Sequence, residues 1–353
     1  MDRDGDELIL RGRAATTPLA EPDGSSGDVI TVRGLVKRYG PVEAVRGIDL
    51  DVHRGEIFGF LGPNGAGKST TISVLCTLVE ATSGRAVVAG CDVDRHPQQV
   101  RARIGLVFQD PSLDNQLTAR ENLFFHALAY GVPRQERPAR IRAALEMVGL
   151  ADRADSQVIT FSGGMKRRLE IARGVLHYPE VLFLDEPTIG LDPQTRARVW
   201  EHLREVRQRT GTTIFMTTHY MEEAEWCDRI AIIDHGRIVA LGTPDQLKDR
   251  VGGDVVVVTT GDNVRAATEI EERFGARAIA DDGTLRVDVT DGAEFVPKLV
   301  KGLDVEVRTV TVRRPSLDDV FLKLTGRAIR DEDVDAGAAM RQMMMRRWQG
   351  GRR

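Results

Sequence analysis

Residues 62–69 carry the chain's most specific chemistry. They are Gly62, Pro63, Asn64, Gly65, Ala66, Gly67, Lys68 and Ser69, followed by Thr70, and they match G-x-x-x-x-G-K-[ST] in full. Gly62, Gly65 and Gly67 have no Cβ, so the backbone can wrap tightly and aim successive N–H groups into one concavity. Such a nest binds phosphate oxygens. Lys68 adds a point charge at the outer phosphates, and Ser69 a hydroxyl for a magnesium ion. The motif requires a strand before it and a helix after it. The apolar run Ile57 to Leu61 reads as the strand. Ser69 to Leu78 reads as the helix, whose N-terminal dipole adds to the phosphate site. A glycine-rich turn matching by accident is the plainer alternative, and the flanking elements count against it.

Two further clusters could act with this loop. The continuous apolar strand Val181 to Leu184 ends in Asp185 and Glu186. A carboxylate there can hold Mg²⁺ near Ser69, and a second one can orient and deprotonate a water. Taken alone, Glu186 reads as a solvated loop acid. Phe161-Ser162-Gly163-Gly164-Met165 leads into a helix, Lys166 to Leu176. Its two glycines open the backbone at a helix N-terminus, which makes a second potential anion site.

Composition narrows the class. The 353 residues are 41% apolar and 29% charged, as in a soluble globular protein of one or two domains. A formal net charge of −4 gives no reason to expect nucleic-acid binding. Cys76, Cys91 and Cys227 are widely spaced with no C-x-x-C pair, so buried thiols are expected rather than a disulfide framework or zinc site. No apolar run reaches the roughly 18 residues needed to span a bilayer, and the acidic N-terminus lacks the order of a signal peptide. A cytoplasmic protein is expected, with any membrane association coming through a partner.

The surrounding pattern is α/β. Residues 1–28 read as a disordered leader. Val29 to Val32 and Ile48 to Val52 read as strands, with Lys37-Arg38-Tyr39-Gly40 between them. Ala86 to Ala89 and Ile104 to Phe108 follow, the second leading directly to Gln109. A helical insertion over about 110–165 begins with a capping box at Thr118 and Glu121, then a helix to about Tyr130 and another from Pro133 to Val148 before Gly149. Thr195 to Arg209 reads as a helix, Thr213 to Thr218 as a buried strand ending in His219, and Ile230 to Ala240 as a hairpin around Gly236. From residue 250 the order is βαββαβ, with a hairpin turn at Asp282-Gly283, then a last helix Leu317 to Leu324. The end of the chain is basic, with Met343 to Met345 and Trp348, and reads as a solvated tail or a touch-point for anionic lipid.

The segment 161–165 resembles the signature of ATP-binding-cassette (ABC) ATPases, commonly L-S-G-G-Q. Tyr39, the loop 62–69, Gln109, Asp185-Glu186, Gly190-Leu191-Asp192 and His219 follow in that family's order and spacing. Alone, Tyr39, Gln109 and His219 read as an interface aromatic, a surface turn and a strand-end histidine; their joint order reverses that. Met165, Phe161 and Ile189 depart from the usual residues, while Ser162 and Gly164 are intact. The ending Arg314 to Gly326, with its P-S-L-D-D-V-F-L-K-L-T-G, is similar to that of daunorubicin-resistance ATP-binding subunits, partners of ABC-2-type permeases.

The resemblance implies a P-loop NTPase cassette over 29–245, with a RecA-like core, an antiparallel β subdomain and a helical subdomain. A small α+β, ferredoxin-like domain over 250–327 and a basic tail over 328–353 follow. It implies ATP and Mg²⁺ as ligands. Tyr39 would stack on adenine, Ser69, Gln109 and Asp185 would serve the metal, Glu186 would be the catalytic base and His219 the γ-phosphate switch. Ser162, Gly163, Gly164 and Asp192 would act across a head-to-tail dimer, at the cytoplasmic face of a membrane. The implied function is ATP-driven export of a drug, antibiotic or lipid-like substrate. The rivals are a soluble ABC ATPase of translation or DNA repair, and a nucleotide-binding regulator without turnover.

Overall fold

A computed structural model describes residues 27–110, 112–281 and 283–326. Residues 1–26, Pro111, Asp282 and those from 327 on lie outside the described residues, and with them the expected tail over 328–353 and all but the last two residues of the expected leader over 1–28, of which Asp28 begins a strand. The chain divides into two units at the Leu241–Gly242 bond.

The first unit starts with the strands β1 (Asp28–Tyr39), β2 (Val42–His53) and β3 (Ile57–Leu61), then helix α1 (Lys68–Leu75). Next come β4 (Ser83–Val88), β5 (Cys91–Asp92), α2 (Pro97–Arg103), β6 (Ile104–Val107), α3 (Ala119–Ala129) and α4 (Arg137–Met147). The unit closes with α5 (Gly163–Val175), β7 (Val181–Asp185), α6 (Pro193–Thr210), β8 (Thr213–Thr218), α7 (Met221–Ala224), β9 (Arg229–Asp234) and β10 (Arg237–Gly242).

These strands form two sheets: one ordered β2-β1-β4-β5, and a six-stranded one ordered β10-β9-β3-β8-β7-β6. In the second, β9, β3, β8, β7 and β6 run parallel. Its central strands are apolar on both faces, as a sheet covered on both sides requires. Phe58 lies opposite Phe215, and Phe215 opposite Phe183. Their rings sit 5.5 and 5.4 Å apart and are fully buried. Each such side chain contributes roughly 1.5–3 kcal/mol through burial. The row also fixes register, because slipping one residue would turn each ring to the other face. With register set, Asp185 falls opposite Thr217 and Leu61 opposite Thr218. The three chain segments that leave these strands therefore start at one edge.

Several elements differ in extent from the sequence reading. β1 is one strand of twelve residues; Gly34 takes φ +55° where the register shifts, which breaks the alternation in sequence. α1 stops at Leu75, and Thr77 turns left-handed at φ +60°. α4 begins at Arg137 rather than Pro133. The capping box of α3 is present in both directions, Glu121 N donating to Thr118 Oγ1 and Thr118 N to the Glu121 carboxylate.

The second unit has α8 (Pro244–Val251), β11 (Asp254–Thr260), α9 (Asn263–Phe274), β12 (Ala278–Asp281), β13 (Thr284–Val289), α10 (Gly292–Gly302), β14 (Val307–Arg313) and α11 (Leu317–Thr325). Its sheet is antiparallel and ordered β12-β13-β11-β14. Val256, Val258, Leu285, Val287, Ala266, Ile270 and Leu299 form its core.

Asp319 pins α11 to this sheet. The carboxylate is 1% exposed and accepts from Ser316 N at 2.6 Å, from Arg313, and from Arg286 at 2.7 Å. Burial alone would raise its pKa, but Arg313, the Ser316 amide and Arg286 together hold it below the usual value. Asp319→Ala leaves Arg286 buried beside one fewer carboxylate. We expect a cost of about 3–5 kcal/mol, read as a lower denaturant midpoint for this unit. Because the folded-state pKa is depressed, the wild-type contribution is present above about pH 4 and lost as pH falls through the folded pKa. An unchanged midpoint in the variant would count against the assignment.

Candidate functional site

The loop between β3 and α1 begins where β8 ends: Gly62 N donates to Thr218 O at 3.2 Å. A Cβ on Gly62 would lie 2.3 Å from Ile233 O, and one on Gly67 would lie 2.5 Å from Ala44 O. Gly67 also has φ +107°. Both positions are thus closed to side chains. Gly65, at φ +80°, faces open space. Ala66 is buried and its carbonyl accepts from Gly236 N at 2.9 Å, which ties the loop to the β9–β10 turn. Pro63, Asn64, Gly65, Gly67, Lys68, Ser69, Thr70, Gln109 and Glu186 line one cavity of about 280 Å³.

Inside it, Lys68 is 4% exposed, and its ammonium donates to Gly62 O at 2.7 Å and Pro63 O at 3.0 Å. Its Nζ lies 3.2 Å from Glu186 Oε1, and His219 Nδ1 lies 3.2 Å from the same oxygen. Glu186 is 6% exposed with φ +45°, a left-handed conformation uncommon outside glycine. Burial pushes its carboxyl pKa up, but His219 and Lys68 outweigh that and hold it below the ordinary value. Asp185 Oδ1 accepts from Ser69 Oγ at 3.2 Å and from Thr217 Oγ1 at 2.5 Å. Thr217 in turn receives Glu186 N at 3.0 Å.

The residues expected to act across a dimer form a second group. Ser162 caps α5, its hydroxyl accepting from Met165 N at 3.3 Å, which is why that helix begins at Gly163 and not at Lys166. Asp192 caps α6 by accepting from Thr195 N at 3.0 Å. A Cβ on Gly164 would lie 2.3 Å from Thr195 Cγ2, so the two helix starts are in contact. None of Ser162, Gly163, Gly164 and Asp192 lines the cavity of the phosphate-type loop. Tyr39 is also outside that lining; it is 47% exposed at the end of β1, with Lys37 Nζ 5.0 Å from its ring centre.

Sequence reasoning passed over the polar groups that join these parts. Arg167, 5% exposed on α5, donates to Pro187 O at 2.6 Å, to Asp185 O at 3.1 Å and to Phe108 O. It pairs with the fully buried Glu170 at 3.1 Å. Thr217 and Glu223 were missed as well. A charged residue at a core-facing helical position was the one available signal for Arg167 and Glu170.

Comparison with known proteins shows the family. Residues 45–189 match the ABC transporter family, and residues 242–325 match the C-terminal domain of DrrA1-3-like ATP-binding proteins. The daunorubicin resistance ATP-binding protein DrrA3 of Streptomyces coeruleorubidus is 44% identical, covering 84% of this chain and 96% of the relative. This chain belongs to the ATP-binding proteins of ABC transporters. It is an ATPase of the daunorubicin-resistance type. The linearmycin resistance ATP-binding protein LnrL of Bacillus subtilis is 40% identical, covering 86% of this chain and all of the relative (100%). A dimeric ATP-binding cassette in a post-hydrolysis state, bound to ADP and Pi, is 26% identical with a TM-score of 0.55, over 61% of this chain and 98% of that one.

The cassette's residues fit a magnesium nucleotide. The loop wraps around the cavity, and the missing side chains of Gly62 and Gly67 let it close against the Ile233 and Ala44 carbonyls. Ser69 and Asp185 place a hydroxyl and a carboxylate within hydrogen-bond reach, the oxygen donors that Mg²⁺ prefers. Gly67→Ala should strain the loop by roughly 1–3 kcal/mol and push Ala44 away. We expect ATP affinity to fall about ten-fold or more with an unchanged circular dichroism spectrum, measured with a fluorescent nucleotide. Undiminished affinity would contradict the loop's role.

Proposed function

We propose that this chain powers an exporter of a drug, antibiotic or lipid-like molecule, working with a separate ABC-2-type permease at the cytoplasmic face of the membrane. The observation that carries the reading is the meeting of Lys68, Ser69, Asp185, Glu186 and His219 at one sheet edge, while Ser162 and Gly164 stand in a second group. A site divided in this way is completed by a second copy arranged head to tail. The relatives with resistance functions support the export reading over a soluble ATPase of translation or DNA repair.

In this account the residues 62–70 hold the phosphates of ATP and Tyr39 stacks on its base. Ser69, Asp185 and Gln109 would hold Mg²⁺, which would supply charge neutralisation at the phosphate oxygens. Lys68 now pairs with Glu186, and phosphate oxygens offer it a more highly charged partner. Its transfer to them frees the Glu186 carboxylate to accept a proton from the attacking water. His219 holds the outer phosphate, and Ser162, Gly163 and Gly164 of the second copy close over it, with Asp192 crossing the interface. Closing on ATP supplies the differential binding energy that shifts the permease, and hydrolysis resets it.

The permease would rest on the outer face of α3, where Phe124, Phe125 and Leu128 are 40–54% exposed. Clustered exposed aromatics of this kind mark an interaction surface. Among the described residues no helix is long and apolar enough to cross a membrane.

Glu186→Gln removes the proton acceptor and keeps the shape. We expect turnover to drop about 100-fold or more with ATP affinity retained, and ATP to trap a dimer in light scattering. Full ATPase activity would refute Glu186 as the base.

A further inference from the structure

Glu186 and His219 leave two different strands, so something must keep them in register after the sheet ends. In front, Thr217 does part of this by receiving Glu186 N. Behind, there is a second tie. Glu223 is 2% exposed, near the start of the short helix that follows His219. Its Oε2 accepts from Thr218 Oγ1 at 2.7 Å, and Thr218 immediately precedes His219. Its Oε1 accepts from Thr188 Oγ1, and Thr188 is two residues beyond Glu186. Thr188 and Thr218 are each 1% exposed. Tyr220 N donates to Thr218 Oγ1 at 2.9 Å, which fixes that hydroxyl's proton toward the carboxylate. Arg196 Nε lies 3.7 Å from Glu223 Oε1, and its guanidinium stacks 4.2 Å over the Tyr220 ring.

The result is a closed ring of contacts: Glu186, Thr188, Glu223, Thr218, His219 and back to Glu186. A second observation says the ring is needed. Glu186 keeps a left-handed backbone, and such a conformation persists only where its surroundings over-determine it. We propose that Glu223 is a positioning residue that sets the distance between the catalytic carboxylate and the switch histidine. It is not among the residues that line the loop's cavity and acts through two buried threonine hydroxyls. The inference rests on the reading of Glu186 as the base.

The test compares Thr188→Val, Glu223→Gln and Glu223→Ala with Glu186→Gln in the full-length chain. Thr188→Val deletes one arm while keeping shape; Glu223→Gln keeps one acceptor and tests rescue. For Thr188→Val and Glu223→Ala we expect kcat to fall about ten-fold or more, with KM and fluorescent-nucleotide affinity changed less than about two-fold. Glu223→Gln should recover part of the loss. Unchanged kcat in Thr188→Val and Glu223→Ala, with Glu186→Gln inactive, would overturn this proposal alone. Parallel loss of nucleotide affinity and thermal stability would overturn it too, since that marks a merely structural residue. Full activity of Glu186→Gln would overturn the reading beneath it.

Discussion

Glu186 carries a carboxylate in a place that water barely reaches, and one of its oxygens is shared between Lys68 and His219. A buried charge of this kind is tolerable only when it is paired. The requirement reaches outward. Lys68 must stay inside the loop, where the Gly62 and Pro63 carbonyls also take its protons. His219 must leave β8 at nearly the level where Glu186 leaves β7, one residue further along. That level is set several residues earlier, by the row of Phe58, Phe215 and Phe183. Hydrophobic packing in the sheet thus fixes an electrostatic arrangement at its edge.

The same reasoning explains why α5 matters to the site although its start lies outside the cavity. Arg167 spreads one guanidinium over carbonyls at Phe108, Asp185 and Pro187. These flank Gln109 and Glu186. A planar group with several fixed donors suits that task better than a lysine. Desolvating it is costly, and Glu170 beneath it supplies the compensating charge. The helix that begins at Ser162 is therefore joined to the backbone of the ATP-binding edge in the same chain.

Much of this could be read in the sequence wherever the signal is local. The loop 62–69 depends on backbone conformation that only its glycines allow. The strand Thr213–Thr218 has the bounds expected from its apolar pattern, and the order βαββαβ expected from residue 250 is present. The α8 helix was missed although Thr243 and Gln246 form a capping box with Pro244 at its first position, a local signal. The remaining misses have non-local causes. Glu223, Glu170 and Arg167 look like ordinary charged residues on amphipathic helices, and only the folded chain brings Thr188, Thr218 and the strand-end carbonyls to them. The left-handed turn at Thr77 and the bulge beside Gly34 are likewise set by neighbours.

The central claim is that each ATP site is shared by two copies. Mixing two inactive variants tests it directly. Lys68→Ala disables the loop group, and Ser162→Arg disables the helix-start group. A mixed dimer then holds one site with both intact groups, so the account predicts that combining the two inactive proteins restores ATP hydrolysis. No recovery on mixing, with mixed dimers shown to form, would contradict it.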